Sequence, residues 1–422
     1  MTDRRDRSTR RTFLRLGLGA SAALAGCITL ADSTTESDSG PAAATAQFRG
    51  GLSRRGYRPD VTVPDSVAVD WAAPVNTGDH TAAKASFVHV PRAAVRRATG
   101  EDDAGDRLVV PGDDGRVRAF TADGETVWSA AIEAAARGIH GTPAVAGGRV
   151  YVGGYDGALY AFDLGSGERV WRRKLGDAIG SSPAYHDGTV HMAVEYYTPS
   201  GGVFGVDAAT GAGRWADRRP TDHPHSTIAI DREHGRLVVG ANDGVCYAWD
   251  YPELEFAWRF ETGDAIKGPV ATYDGAAFFG SWDRNVYRVD LADGTEDWAV
   301  ETRNLVMSGP AIDPERGVCY VGSHDGNCYA LDTDGGTELW RFPTGGRIVG
   351  CPTTTGDRVV FGSKDRSCYA VDARDGSPVW EQSLDGWVTS TPLVTGRGVY
   401  VTERAPQGAD GPPGHAYALR EA

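Results

Sequence analysis

Eight tryptophans recur along the chain at nearly even intervals, and this regularity constrains the fold more than any other feature. After a first gap of 57 residues, successive members lie 40 to 44 residues apart. A fixed period of this size indicates a repeat architecture, in which one structural unit is copied along the chain. The eight residues are Trp71, Trp128, Trp171, Trp215, Trp258, Trp298, Trp340 and Trp380.

Each repeat unit contains four short strand candidates. Five copies share a phrase that ends in the tryptophan, as in NCYALDTDGGTELW at 327–340, while the copies at 116–128 and 245–258 diverge from it. The apolar runs are bounded by Gly, Asp and Asn, and pairs such as Asp325-Gly326 predict tight hairpin turns. Four-stranded units of about 40–45 residues predict the blades of a propeller.

The last blade is split between the two ends of the chain. Residues 390–422 carry strand patterns but no terminal tryptophan, and the segment around Trp71 supplies one. The sequence therefore predicts an all-β domain over residues 47–422. We expect an eight-bladed β-propeller of four-stranded antiparallel blades, closed by exchange of N- and C-terminal strands. Each of the eight tryptophans is expected to dock one blade onto the next.

The phrase A-x-D-x-x-T/S-G-x-x-x-W resembles the pyrroloquinoline-quinone-type β-propeller repeat. The segment Gln47-Phe48-Arg49-Gly50, with Arg55-Gly56-Tyr57 after it, also looks like the start of such propellers. The resemblance implies one of two branches. One comprises quinone-dependent dehydrogenases, and the other comprises non-catalytic lipoprotein scaffolds of the BamB kind.

The cysteines favour the scaffold branch. In the dehydrogenases, the resemblance implies two adjacent cysteines over the cofactor and a Glu and Asn pair for a metal. No two cysteines are adjacent in this chain; they are Cys27, Cys246, Cys319, Cys328, Cys351 and Cys368. We therefore expect no catalytic residues, no cofactor and no metal site, with pyrroloquinoline quinone plus calcium as the alternative. Cys246, Cys328 and Cys368 share one apolar repeat position and Cys319 takes the place of Val150, which is typical of buried structural residues.

The N-terminus predicts export and lipid anchoring. Arg10 and Arg11 precede Thr12-Phe13-Leu14, the pattern of a twin-arginine signal, and the apolar run at 16–25 is too short to span a membrane. Leu24-Ala25-Gly26-Cys27 looks like a lipobox. We expect residues 1–26 to be a signal peptide and Cys27 to carry lipid, with residues 27–46 as a flexible tether. An ordinary signal peptide with a chance cysteine remains the alternative.

The charge balance argues against nucleic-acid binding and favours a salt-adapted protein. The formal net charge is −14, and only four of the 43 basic residues are lysines. A surface of this kind offers no basic track for phosphates, and salt screens its self-repulsion. We expect a monomeric propeller on the outer face of the cytoplasmic membrane, in a halophilic setting.

Function in a propeller is expected at the mouth of its central channel. The segments that precede the innermost strands supply candidate rim residues at roughly corresponding places, namely His140, His225, Lys267, Met307, Val349 and Trp387, and Arg347 and Arg137 lie close by. A variable polar lip without a ligand is the alternative. Insertions at 91–106 and 405–414 are further candidates for partner contact.

These observations lead to a first functional hypothesis of a membrane-anchored scaffold that binds protein or peptide partners without chemistry of its own. The alternatives are a quinone-dependent dehydrogenase and a solute-binding or sensory module that uses the channel mouth.

Overall fold

The computed structural model describes residues 46–76, 85–133, 137–404 and 413–422. Eight antiparallel sheets surround a central channel, which confirms the eight-bladed propeller. Blades 1 to 7 each contain four strands, which follow one another from the channel outward. They are Val88–Val90, Arg107–Pro111, Arg116–Phe120 and Thr126–Ala131 (blade 1); Ala144–Ala146, Arg149–Gly153, Ala158–Asp163 and Arg169–Lys174 (blade 2); Ala184–His186, Thr189–Tyr196, Ser200–Asp207 and Gly213–Asp217 (blade 3); Ala229–Asp231, Arg236–Gly240, Val245–Asp250 and Phe256–Glu261 (blade 4); Ala271–Tyr273, Ala276–Gly280, Asn285–Asp290 and Glu296–Glu301 (blade 5); Ala311–Asp313, Val318–Gly322, Asn327–Asp332 and Glu338–Pro343 (blade 6); and Thr353–Thr354, Arg358–Gly362, Ser367–Asp372 and Pro378–Ser383 (blade 7).

Blade 8 closes the ring as the sequence predicts. Its inner three strands, Leu393–Thr395, Gly398–Arg404 and Gly414–Glu421, come from the C-terminus, and its outermost strand is Val67–Asn76. The pairing runs from Val67 opposite Glu421 to Asn76 opposite Gly414. A short strand, Trp387–Val388, pairs with Gly398–Arg404 at the channel mouth. The two ends of the chain therefore share one sheet, and the ring has no open face.

The recurring tryptophans lie on the outermost strands and contact the following blade. In seven of the eight cases the indole Nε1 donates to a main-chain carbonyl of the next blade, at 2.8 to 3.2 Å. Six of these rings also lie on a glycine with a left-handed backbone, as Trp340 does on Gly376. Trp215 differs, because its ring packs edge to face on Trp249, which is fully buried between blades 3 and 4.

The insertion at 91–106 contains the helix α1, Arg92–Thr99, which the sequence did not predict. Its segment RAAVRRAT is too short and too basic to show a clear helical period, and only Ala94 and Val95 are buried. Gly100 ends the helix in a left-handed conformation and donates to the Arg96 carbonyl. The insertion at 405–414 lies mostly outside the described residues. Among these residues no helix is long and apolar enough to cross a membrane.

Residues 46–58 follow the inner wall of the channel and contact six blades in order. Ala46 pairs with the innermost strand of blade 2, and Tyr57 with that of blade 7. Between them, main-chain carbonyls accept from the innermost strands of blades 4, 5 and 6, and the Gln47 side chain bonds to blade 3. These contacts lie along the innermost strands of blades 2 to 7, so the segment lines the channel wall; we call residues 46–58 the plug.

Two arginines fix the plug by donating to main-chain carbonyls rather than to carboxylates. Arg54 is fully buried and donates to the carbonyls of Phe48, Pro183 and Ile228. Arg49 donates to the carbonyls of Arg54 and, in blade 6, of the Gly309-Pro310 step. Burial, together with the charge of Arg49, lowers the pKa of Arg54 to about 9. The carbonyls at the starts of the innermost strands thus form the socket for the N-terminal segment.

Candidate functional site

The open mouth of the channel is built from two sets of main-chain segments that alternate around the ring. One set is the loops that lead into the innermost strands, and the other is the turns after each second strand. Ile266 N–H donates to the Ala241 carbonyl of one turn, and Trp282 N–H donates to the Ala265 carbonyl of the same loop. Equivalent bonds recur at blades 2, 6 and 7. The open mouth therefore has a rigid frame on which side chains can be held.

The predicted rim residues all lie at this open mouth, but not in one register. His140, His225, Lys267 and Met307 occupy equivalent loop positions, as their neighbours' main-chain bonds show. Arg347 and Trp387 are equivalent to each other but lie two residues earlier; Val349 and Thr389 hold the Lys267 position in those blades. Val349 therefore lies in the predicted register, whereas Trp387 is two residues out of it, because an aromatic side chain stands out in a loop where a threonine does not.

Basic groups gather on one side of the mouth, at blades 6 to 8. We call His324, Arg347, Lys364 and Arg404 the basic arc. Lys364 Nζ lies 4.5 Å from the centre of the Trp387 ring. Burial, with the charges of Arg347 and Arg404, lowers the pKa of Lys364. Burial, with the charges of Arg347 and Lys364, lowers the pKa of His324 to about 4, so this imidazole is neutral at pH 7.

The opposite side of the mouth holds a carboxylate with two histidines. Glu195 Oε1 lies 2.8 Å from His225 Nδ1, and Glu195 Oε2 lies 4.0 Å from His223 Nδ1. Gly180 leaves room for this pair, since an added Cβ would lie 2.6 Å from the His225 ring. The negative charge of Glu195 and the positive charges of Arg347 and Lys364 polarise the mouth from one side to the other.

Between these sides lie two aromatic contacts. Lys267 Nζ is 3.7 Å from the centre of the Trp282 ring, and burial lowers the pKa of this lysine. The His140 and Tyr155 rings are 4.1 Å apart. Met307 is half-buried and offers only a soft apolar surface.

Three rim residues hold buried polar atoms without a hydrogen-bond partner among the described residues. They are Asn242 Oδ1, Trp282 Nε1 and His324 Nε2. Each residue directly precedes the aspartate of a repeat turn, and so does Lys364. The sequence analysis missed this position because its residue type varies; the aspartate that follows it is the signal that could have located it. Unpaired buried polar atoms are costly, and a ligand that bonds to them would offset that cost.

One group of possible metal ligands occurs in the part of the chain that the structure describes: Asp385, Glu403 and His415. Glu403, however, accepts from the Tyr417 hydroxyl at 2.9 Å and from the Gly386 N–H at 2.5 Å. In other blades the turn aspartates accept from the same two donors, as Asp283 does from Tyr287 and Gly263. Glu403 thus performs a structural role of the repeat, and the group does not indicate a metal site.

Arg10, Arg11 and Cys27 lie outside the described residues, so the export and lipidation signals remain predictions. The five described cysteines are buried and unbridged. Residues 405–412 also lie outside the described residues.

Comparison with known proteins places the chain in a family. A family model described as outer membrane protein assembly factor BamB matches residues 92–232, 201–346 and 324–419. The chain belongs to this family. This membership agrees with the repeat phrase and with the predicted resemblance.

The chain is also similar to quinohemoprotein alcohol dehydrogenases. Quinohemoprotein alcohol dehydrogenase ADH-IIG of Pseudomonas putida is 30% identical over 146 residues, which cover 30% of this chain and 20% of that protein. The chain thus spans about a fifth of this relative. Among solved structures, quinohemoprotein alcohol dehydrogenase from Comamonas testosteroni matches with a TM-score of 0.72 and 15% identity, over 89% of this chain and 80% of its own. BamB from Moraxella catarrhalis matches with a TM-score of 0.61 and 16% identity, over 84% of this chain and 100% of the BamB chain. At these identities the structural likeness establishes the fold alone.

Proposed function

We propose that this protein is an exported, lipid-anchored propeller that binds the acidic group of a protein or peptide partner in its open channel mouth. The basic arc carries this proposal. Arg347 and Lys364 stand together in a chain whose net charge is −14, beside a buried nitrogen of His324 that lacks a partner among the described residues. A carboxylate at this place would gain charge-assisted hydrogen bonds inside a partly desolvated funnel.

The plug narrows the channel below this mouth. Residues 46–58 follow the channel wall along blades 2 to 7, so the protein's own chain occupies part of the channel interior. The membrane anchor of the proposal rests on Cys27, and export rests on Arg10 and Arg11. Replacement of both arginines by lysine should leave the protein inside the cell, and Cys27→Ser should release it from the membrane fraction.

Affinity capture from native membranes at native salt tests the binding function. The wild-type protein is expected to recover a near-stoichiometric partner, and the double variant Arg347→Ala, Lys364→Ala is expected to lose it. Arg259→Gln is the matched control, because this arginine is exposed on the outermost strand of blade 4 and pairs only with Glu261 at 3.0 Å among the described residues. Recovery of the propeller alone, or equal capture by the double variant, would contradict the proposal.

A quinone-dependent oxidoreductase is the second candidate, favoured by the similarity to the Pseudomonas putida alcohol dehydrogenase. The basic arc would suit the carboxylates of pyrroloquinoline quinone. The two described glutamates at the mouth do not suit the metal that this chemistry uses, because Glu195 is engaged by His225 and Glu403 by Tyr417. Quinone binding in the presence of calcium, together with alcohol-dependent reduction of a dye, would support this candidate over a binding protein.

A further inference from the structure

The interface between blades 3 and 4 departs from the repeat at three positions that meet in space. Gly205 lies opposite Trp215, where the equivalent partners of the other seven tryptophans all carry side chains, six of them alanine. His191 lies opposite Gly205, where the other blades have valine, tyrosine or phenylalanine. Leu254 takes the left-handed turn position, φ 60°, that glycine holds in blades 1 to 3 and 5 to 7.

These departures open a cleft of about 430 Å³. Trp215 is half-buried and forms one wall, with Leu254 and Pro252 beside it. At the regular interfaces this space is filled by the docked tryptophan, whose indole Nε1 bonds to the next blade. Within the described residues no carbonyl accepts from Trp215 Nε1. The indole of Trp215 therefore remains available to a ligand that enters the cleft between blades 3 and 4.

His191 supplies an unpaired polar atom to the cleft. Its side chain lines the cleft and is only 2% exposed, and its Nδ1 has no hydrogen-bond partner among the described residues. Because Gly205 has no side chain, the space in front of Nδ1 stays open; an added Cβ there would lie 3.7 Å away. A buried imidazole nitrogen without a partner is costly, so a ligand hydroxyl there would satisfy it.

The charges around the cleft cancel. Arg214 Nη2 lies 2.5 Å from a carboxylate oxygen of Asp207. Arg232 and Asp187 both lie near the Tyr251 hydroxyl, where the arginine lowers and the aspartate raises the pKa of Tyr251. The remaining polar lining consists of the hydroxyl groups of Thr189 and Tyr251 and of the His186 ring, whose Nδ1 lies 2.5 Å from the Tyr251 hydroxyl. A cleft with an indole wall, several neutral donors and acceptors and no net charge suits a ring that has one apolar face and hydroxyls at its edge.

We propose that this cleft binds a neutral saccharide, with one sugar ring stacked on Trp215 and a hydroxyl bonded to His191 Nδ1. The site is separate from the open mouth and does not depend on the partner proposed there. Its size allows one or two sugar rings, which agrees with a module that recognises the end of a glycan rather than a long chain.

Two glycines of the same blade give a matched test. In Gly205→Ala the new methyl group would be in ordinary contact with Thr189 Cγ2 at 3.4 Å and would fill the space before His191; alanine is also the usual residue at this repeat position. In Gly213→Ala the methyl group would meet nothing within 4 Å. Neither glycine has a left-handed backbone, so both variants should fold normally.

The experiment is saturation-transfer NMR of the purified full-length protein at native salt, with glucose, mannose and galactose as probes and benzoate as the anionic aromatic comparison. We expect at least one sugar to bind the wild-type protein and Gly213→Ala alike, and Gly205→Ala to weaken it by about tenfold or more. We also expect its affinity to be insensitive to salt over the range in which the protein stays folded, because a neutral ligand is not screened. Binding of benzoate alone, binding of no probe, or an unchanged affinity in Gly205→Ala would overturn the proposal.

Discussion

Gly336 of blade 6 lies directly on the indole of Trp298, the residue that docks blade 5 onto blade 6. A Cβ at position 336 would lie 2.9 Å from Trp298 Cδ2, and the backbone there has φ 68°. The indole Nε1 donates to the Thr333 carbonyl of the same turn at 3.0 Å. We expect Gly336→Ala to lower the free energy of unfolding by roughly 2–4 kcal/mol, because it adds left-handed strain to a steric clash. Chemical denaturation at native salt measures this.

Gly335, the preceding residue in the same turn, provides the control for this prediction. Its added Cβ would meet nothing closer than 3.7 Å, and its φ is not left-handed. We expect Gly335→Ala to change the stability by less than about 1 kcal/mol. Equal effects of the two substitutions would mean that the glycine does not serve the docking of Trp298.

The tryptophan period predicts blade number and closure because each blade must bury the same interface, so the same residues recur at the same spacing. The plug could not be predicted in this way. Gln47, Arg49 and Arg54 follow no period, and they bind main-chain carbonyls that every blade offers. Only the closed ring brings these carbonyls together, and a linear sequence does not show which segment will fill the socket.

The plug arginine Arg54 yields the second prediction. We expect Arg54→Met to lower the stability by at least about 3 kcal/mol, because three buried carbonyls would lose their donors. Arg55→Met serves as the comparison, since its described side-chain hydrogen bond goes to the Thr272 carbonyl alone and it is partly exposed. Limited proteolysis should cut the Arg54 variant near residues 46–58 before the blades. Unchanged protection of this segment would show that the arginine does not hold the plug in place.

His191, which lines the cleft between blades 3 and 4, links this cleft to the stability of the fold at acidic pH. Burial lowers its pKa from 6.5 to about 4. Between these two pH values the unfolded chain binds the proton and the folded chain does not, so stability falls as the pH falls. The loss from this single group should approach roughly 3 kcal/mol at pH 4. We expect a smaller decrease in His191→Phe than in the wild-type protein over the same pH range.

Denaturant titrations of the wild-type protein and of His191→Phe at several pH values measure the two decreases in stability. Subtracting one decrease from the other removes the contribution of the many carboxylates that both proteins share. His186 and Arg214 face His191 and disfavour its protonation, and they remain in the variant. Parallel stability curves for the two proteins between pH 6.5 and 4 would contradict a neutral, buried imidazole at position 191.

The site was predictable only in outline. The loops before the innermost strands could be located from their proline steps, and His140, His225 and Lys267 lie at the mouth as expected. Trp282, His324 and Lys364 could not be ranked, because they hold a position where each blade has a different residue. The cleft between blades 3 and 4 could not be predicted without the strand register. Gly205 and His191 are 14 residues apart in the sequence, and only their pairing across two strands shows that they share this cleft.

The cysteines give a prediction that also tests the lipid anchor. The chain has six cysteines, and the five that the structure describes are buried and unbridged. Burial raises the pKa of Cys319 to about 12 and raises the pKa values of the thiols of Cys246, Cys328 and Cys368, which keeps them protonated and unreactive. We expect the protein isolated from membranes to show no reactive thiol when folded and five after denaturation, because the sulfur of Cys27 carries lipid. A Cys27→Ser variant should also give five, whereas six thiols in the denatured wild-type protein would mean that Cys27 is neither acylated nor removed.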